Sequence, residues 1–127
     1  MTIELTSHAQ DDLVAGYRFY AEQLESVGEY FLDSLYSDID SLVVHAGIHP
    51  VIFGYHRMLA QRFPFAIYYK LDKERVQVYR VLDCRQNPSR ISRQLRNSLV
   101  GYLPAARFFQ TPSRLRRTPS LKRPSGP

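Results

Sequence analysis

The chain has 127 residues, 44% of them hydrophobic, which allows one domain with a core of ordinary size and excludes two. Its net charge of +5 is unevenly spread: residues 1–99 hold 11 Lys/Arg against all 12 Asp/Glu, and residues 100–127 hold 6 Lys/Arg and no acid. The pI of about 9.6 therefore describes the tail, and is no argument that the domain itself binds nucleic acid.

Thr2-Ile-Glu-Leu5 alternates polar and apolar residues and predicts a short strand. Ser7 is a candidate helix N-cap, with Gln10 as its capping-box partner. Asp11 and Asp12 then fall in a first turn, where the helix dipole favours negative charge. Leu13, Tyr17, Tyr20 and Leu24 recur at helical spacing, with Gly16 beside them as a close-packing position. Gly28 breaks the pattern. Phe31, Leu35, Ile39, Leu42 and Ala46 form the stripe of a second helix, with Asp33, Ser37, Asp40 and Ser41 largely off it. Gly47 is placed to cap that helix and Pro50 prevents its resumption. The short link predicts an antiparallel helical hairpin.

Residues 51–56 read as a connector or irregular strand, and Arg57 to Phe63 as a strand. Phe65 to Leu71 is clearer, with Phe65, Ile67, Tyr69 and Leu71 on one face and Ala66, Tyr68 and Lys70 on the other. Pro64 is expected in the turn before it. The charged turn Asp72-Lys73-Glu74-Arg75 leads to Val76–Leu82, read with Val76, Val78 and Leu82 on one face and Tyr79 and Val81 on the other. Both faces of these strands are rather apolar, as expected of central strands. Asn87-Pro88 starts a last helix, whose narrow stripe is Ile91, Leu95 and Leu99. Beyond it the composition turns to proline (positions 104, 112, 119, 124 and 127), Ser, Thr and Arg, and 111–127 are expected to be disordered.

The N-terminus carries no basic segment followed by an apolar run, and no apolar run approaches the ~18 residues of a membrane span. A cytoplasmic protein without signal peptide or membrane contact is expected. Cys84 is the lone cysteine, which excludes an intramolecular disulfide and suits a reducing compartment. There is no Gly-rich phosphate loop, Gly-x-Ser-x-Gly elbow or His-Glu-x-x-His pair. His45 and His49 have metal-ligand spacing on a helix, but Gly47 and Pro50 interrupt that helix, so neither metal nor cofactor is expected. Tyr68, Tyr69 and Tyr79 near Arg62, Arg80 and Arg85 offer a surface for phosphates and bases, or equally for an acidic protein partner. Arg90, Arg93 and Arg96 line one side of the last helix: a solvated face, or a ridge for nucleic acid or an acidic partner. The tail clusters Arg114-Leu-Arg-Arg117 and Lys122-Arg123 read first as solubilising charge, with weak, salt-sensitive nucleic-acid binding as the alternative.

Several pieces resemble one family when taken in order. They are Asp12-Leu13, Tyr17-x-x-Tyr20, Gly28-x-x-Phe31, His49-Pro50, Arg62-Phe-Pro-Phe-Ala-Ile-Tyr-Tyr69 and Val81-Leu-Asp-Cys-Arg-Gln-Asn-Pro88. Together they resemble the RelE/ParE superfamily of bacterial toxins, over about residues 2–97. The resemblance implies an α+β fold: a small antiparallel sheet of about four strands, an N-terminal helical hairpin packed on it, and a short C-terminal helix. The toxin domain would be residues 1–99, and residues 100–127 a basic extension. It also implies a cognate antitoxin as partner, a partly disordered protein that folds over the toxin. Operator DNA would be reached only through that antitoxin.

The superfamily has two main activities. The RelE-like branch cleaves mRNA on the ribosome without a metal. On this chain such an endoribonuclease would use Arg62, Arg80 and Arg85 to stabilise charge on the reacting phosphate. Against that, Gln86 stands where many relatives have a second basic residue and Asp83 where many have His. No Tyr or His lies between Pro88 and Leu99, and Tyr102 is the nearest substitute. The ParE-like branch inhibits DNA gyrase without being an enzyme and needs only a binding surface, which the Phe-Pro-Phe-Ala-Ile-Tyr-Tyr wording resembles more closely. The expectation is a ParE-like growth inhibitor with partner-binding residues Tyr17, Tyr20, Arg62, Tyr68, Arg85, Arg90 and Arg93. A nuclease acting on the ribosome is the first alternative, and a non-toxic relic that only binds antitoxin the second.

Overall fold

A computed structural model describes residues 1–100, with side chains to residue 97. The order of elements is β1 (Thr2–Leu5), α1 (Ser7–Gln23), α2 (Glu25–Asp40), α3 (Leu42–His45), β2 (Val51–Ile52), β3 (Tyr55–Leu59), β4 (Phe65–Asp72), β5 (Arg75–Asp83) and α4 (Pro88–Val100). The expected disorder of 111–127, Leu99 as part of the last stripe, and Tyr102 as a catalytic substitute all lie outside the described side chains.

The sheet has five strands in the order β1-β5-β4-β3-β2. The architecture is the expected α+β one, but the sheet is mixed, because β1 runs parallel to β5 while the other pairs are antiparallel. A parallel neighbour needs a crossover, and here it runs through the helices and then back across the sheet by β2, β3 and β4. The extra strand is the two-residue β2, joined to β3 through Phe53 and Gly54 at φ 56° and 87°. Two positive φ values make the tight turn that suits a hairpin. The strand expected at Arg57 to Phe63 is displaced: β3 ends at Leu59, and residues 60–64 form the turn into β4.

Helix α1 starts one residue earlier than Ser7 as N-cap would require. Thr6 is the cap, its hydroxyl accepting from the Ala9 N–H at 3.1 Å. Asp11 and Asp12 therefore lie past the first turn and do not serve the dipole there. The helical break falls at Leu24, whose extended backbone (φ −165°, ψ 126°) joins α1 to α2. Gly28 lies inside α2 instead, where a Cβ would sit 2.7 Å from the Ala21 Cβ and 3.0 Å from its backbone. Gly16 is equally tight, beneath the Phe31 ring. These two glycines set how closely the hairpin closes.

One face of the sheet packs on α1 and α2. Ile3, Leu5, Leu13, Phe31, Leu35, Ile39, Leu42, Ile67, Tyr69, Val76 and Val78 are all buried there. Each large apolar side chain buried contributes about 1.5–3 kcal/mol, so truncating Phe31 to Ala should cost about 3–5 kcal/mol. Leu24, expected on the α1 stripe, is exposed.

The opposite face is covered by α4. Tyr55, Ala66, Tyr68, Tyr79 and Leu82 pack against Ile91 and Leu95. The expected face assignment of β5 changes here. Tyr68 pairs with Arg80 but Tyr69 pairs with Val78, so Tyr79 is an extra residue in a bulge. Alternation shifts phase there, and Val81 joins Val76 and Val78 on the hairpin side while Leu82 turns to α4.

Candidate functional site

The β5 edge beyond the end of β1 would leave polar backbone groups unmatched, and the start of α1 supplies their partners. Thr6 donates its hydroxyl to Tyr79 O at 2.9 Å, and Asp12 accepts from the Val81 N–H at 2.9 Å. The same carboxylate holds Arg80 through two hydrogen bonds of 2.7 and 2.8 Å. Arg80 also donates to Gln94 O on α4 at 3.3 Å. Burial pushes the Asp12 carboxyl above its ordinary range, while Arg80, the Val81 N–H and His8 pull it back. Both side chains are about seven-eighths shielded from solvent. Arg80 is thus held at the junction of α1, β5 and α4, away from any open face.

A second group of residues stands at the end of the sheet where β3 turns into β4 and β5 reaches its corner. Cys84 N–H donates to Pro64 O at 2.8 Å, which ties the two loops together. Phe63 on the first loop packs between Tyr20 and Tyr30, with ring centroids 4.9 and 5.5 Å away. Tyr20 also stacks on Phe31 and meets the exposed Phe19 edge-on. Arg62 is exposed beside Phe63, and its charge reaches the buried Asp38 carboxyl. Burial raises Asp38, while the Gln61 N–H and Arg62 oppose that shift. Arg85 is exposed and is gripped by Asp83 at 2.9 and 2.7 Å. That hydrogen bonding holds Asp83 below the usual carboxylate range and makes the Arg85 charge still harder to remove. Tyr20 also contacts the Arg85 guanidinium. Next to this corner lies an open groove of about 240 Å³ lined by Gly16, Phe19, Phe65, Leu82, Asp83 and Gln86, among others.

Of the candidate residues, this corner gathers Tyr20, Arg62 and Arg85. Tyr17 is half-buried on α1 against the hairpin core. Tyr68 is 1% exposed, beneath α4, with the Arg57 guanidinium near its hydroxyl. Burial raises the Tyr68 hydroxyl above its ordinary range, against the pull of Arg57. Arg90 and Arg93 are exposed on α4, across the sheet from the hairpin. Sequence reasoning did not single out Phe19, Tyr30 or Phe63. The first two were legible only as aromatics off the apolar stripes of their helices, and nothing in the sequence placed them beside Phe63.

Among the described residues no group of three or more His, Cys, Asp or Glu could hold a metal ion. None of the described helices is long and apolar enough to cross a membrane.

No family model and no curated protein matches this sequence. A solved structure described as "Chromosomal ParDE TA system from P. aeruginosa" matches with a TM-score of 0.58 and 19% identity, covering 65% of this chain and 95% of that one. The chain shares the fold of that matched protein. At 19% identity the likeness concerns the fold alone.

Proposed function

We propose that the chain is the toxin of a type II toxin–antitoxin system: a ParE-like, non-catalytic growth inhibitor directed at DNA gyrase and neutralised by a tightly bound antitoxin. The observation that carries the reading is the corner of Phe19, Tyr20, Tyr30, Phe63, Arg62 and Arg85. Exposed aromatics with arginines are the composition of a protein-binding hot spot. An antitoxin segment would lay apolar side chains against the aromatic rings and carboxylates against Arg62 and Arg85. The placement of Arg80 and Tyr68 favours inhibition by binding over RNA cleavage. Arg80 is spent on Asp12, and Tyr68 lies under α4, so neither is presented to a phosphate. A catalytic cation must reach the charge that develops in the transition state.

The test is to induce the chain in bacteria without antitoxin and pulse-label DNA and protein synthesis within minutes. DNA synthesis should fall first. An early fall in protein synthesis instead would move the target to the ribosome and reinstate the endoribonuclease. Soluble protein with no fall in either would leave a relic that only binds antitoxin. A small open reading frame beside the gene, whose product restores growth on co-expression, would identify the antitoxin.

A further inference from the structure

Asp38 is 5% exposed and stands in the last turn of α2, the end of a helix where the dipole favours a cation. That turn holds no basic residue. Among the described residues no cation lies within ion-pair distance of the carboxylate, and Arg62 acts on it only from farther off. One oxygen, Oδ2, accepts from the Gln61 N–H at 3.1 Å. The other has no hydrogen-bond partner among the described residues. The first bond serves the fold, since it meets a backbone donor just beyond the end of β3 at Leu59. An asparagine would meet that donor equally well, because its side-chain carbonyl is also an acceptor. The negative charge is therefore surplus to the fold, and a buried charge without a counter-ion is costly to keep.

Asp38 lines a cavity of about 460 Å³ between the end of the helical hairpin and β3. A pocket of that size accommodates a small ligand. It shares no lining residue with the groove at the aromatic–arginine corner. Ile48, Met58 and Leu59 make its apolar wall, and Ile48 and Leu59 are 73% and 56% exposed, free to cover an alkyl chain. Arg57 also lines it, but its guanidinium lies near the Tyr68 hydroxyl and is not among the groups that act on Asp38. His49, in the same wall, is held below its ordinary value and adds no charge at neutral pH. Ser41 Oγ fixes the floor, donating to Asp38 O at 2.6 Å and meeting Met58 Sδ at 3.8 Å.

We propose that this cavity binds a primary alkylammonium group, with its charge on Asp38 Oδ1 and its alkyl stem along Ile48, Met58 and Leu59. The state of the carboxylate sets the ligand class. With Oδ2 tied to the backbone it offers one free oxygen, which suits a point-charge ammonium better than the two-pronged fork of a guanidinium. A free aliphatic amine and a lysine side chain of another protein carry the same group. The site stands apart from the toxin reading, and its test reads binding and not growth.

The experiment titrates the purified full-length chain with n-butylammonium and, separately, with N-acetyl-lysine methylamide, followed by proton–nitrogen NMR. The Gln61 amide, bonded to Asp38, is the reporter. Saturable shifts of Gln61 and Met58 in the millimolar range are expected, as for a ligand of few atoms. n-Butanol has the same stem without the charge and should bind about tenfold more weakly or worse, because a charge-assisted hydrogen bond is lost. Asp38→Asn keeps the acceptor for Gln61 and removes the charge, so it should stay folded and lose the response to n-butylammonium. Tighter binding of the lysine amide supports the site and assigns it to a side chain of a partner protein. Tighter binding of n-butylammonium supports it and assigns it to a free amine. No saturable shift with either amine overturns the proposal, and so does n-butanol binding as tightly as n-butylammonium. Both of these are read on the wild type and do not depend on the variant. An undiminished response in folded Asp38→Asn also overturns it.

Discussion

Asp12 and Arg80, 68 positions apart, meet through a two-pronged ion pair that joins the first helix to the last strand. The carboxylate also accepts the Val81 N–H, and the guanidinium also reaches Gln94 O. One carboxylate thus completes the β5 edge where β1 stops, and one arginine carries the connection on to α4. Removing one partner of a buried pair strands the other, at a cost of about 3–5 kcal/mol. Asp12→Asn and Arg80→Met are each expected to lose stability of that order in urea denaturation. The double variant should lose less than the sum of the two, because neither charge is then left alone. Hydrogen exchange separates the two arms: Arg80→Met should loosen the amides of 88–97 more than Asp12→Asn does.

Gly28 is predicted to resist replacement even by alanine, the best helix former. An alanine there gains about 1 kcal/mol of helix propensity. It also places its methyl 2.7 Å from the Ala21 Cβ and 3.0 Å from the Ala21 backbone. Backbone cannot swing aside as a side-chain end can, so the hairpin must open, at about 1–3 kcal/mol. Gly28→Ala should therefore lower the thermal midpoint despite the better helix former. A rise in the midpoint would refute the close approach of α1 and α2.

A pH dependence is built around His49. Tyr69 hydroxyl accepts from the Gly47 N–H at 2.9 Å and shares a second hydrogen bond with His49 Nδ1. His56 Nδ1 bonds to the His49 carbonyl at 2.8 Å, and the His56 ring stacks on Tyr69. Burial, then the nearby His56 and His45, hold His49 below its ordinary value. The folded state therefore binds this proton less readily than the unfolded chain. Stability from this group is complete above about pH 6.5, the unfolded value, and declines as pH falls from there through the lowered folded value. His49→Asn keeps an acceptor near Nδ1 and cannot titrate. Urea midpoints between pH 7.5 and 5 should fall less steeply in that variant than in the wild type.

Much of the fold was legible because hydrophobic periodicity carries it. Phe31, Leu35, Ile39 and Leu42 recur at helical spacing and are all fully buried, and the Asp72–Arg75 turn sits between strands whose register closes on that pair. Three things were not legible. The bulge at Tyr79 reverses the face of Val81 and Leu82, and nothing local in Val-Tyr-Arg-Val announces an extra residue. Asp12 looked like a dipole partner because its true partners, Arg80 and the Val81 N–H, are brought to it only by the tertiary fold. Tyr68 sits on a strand beside arginines, yet α4 covers it, and a covering helix cannot be inferred from the strand it covers. The corner of Tyr20, Arg62 and Arg85 was partly visible, since all three residues stood out by type. Their assembly depends on the Cys84–Pro64 hydrogen bond that joins two loops.

Arg62 and Arg85 separate the inhibitor from the nuclease. Both are exposed at the corner, and neither holds the core. Exposed substitutions of this kind usually shift stability by no more than about 0.5 kcal/mol, so a loss of effect would not come from unfolding. The double variant Arg62→Ala/Arg85→Ala is expected to keep inhibiting growth, because a target can be gripped through the aromatic rings that remain. Antitoxin affinity should weaken mainly through faster dissociation, as for lost interface contacts in general. An RNA-cleaving mechanism needs cations at the scissile phosphate, and it would lose activity by orders of magnitude in the same variant. Growth after induction, read alongside soluble protein level, decides between the two.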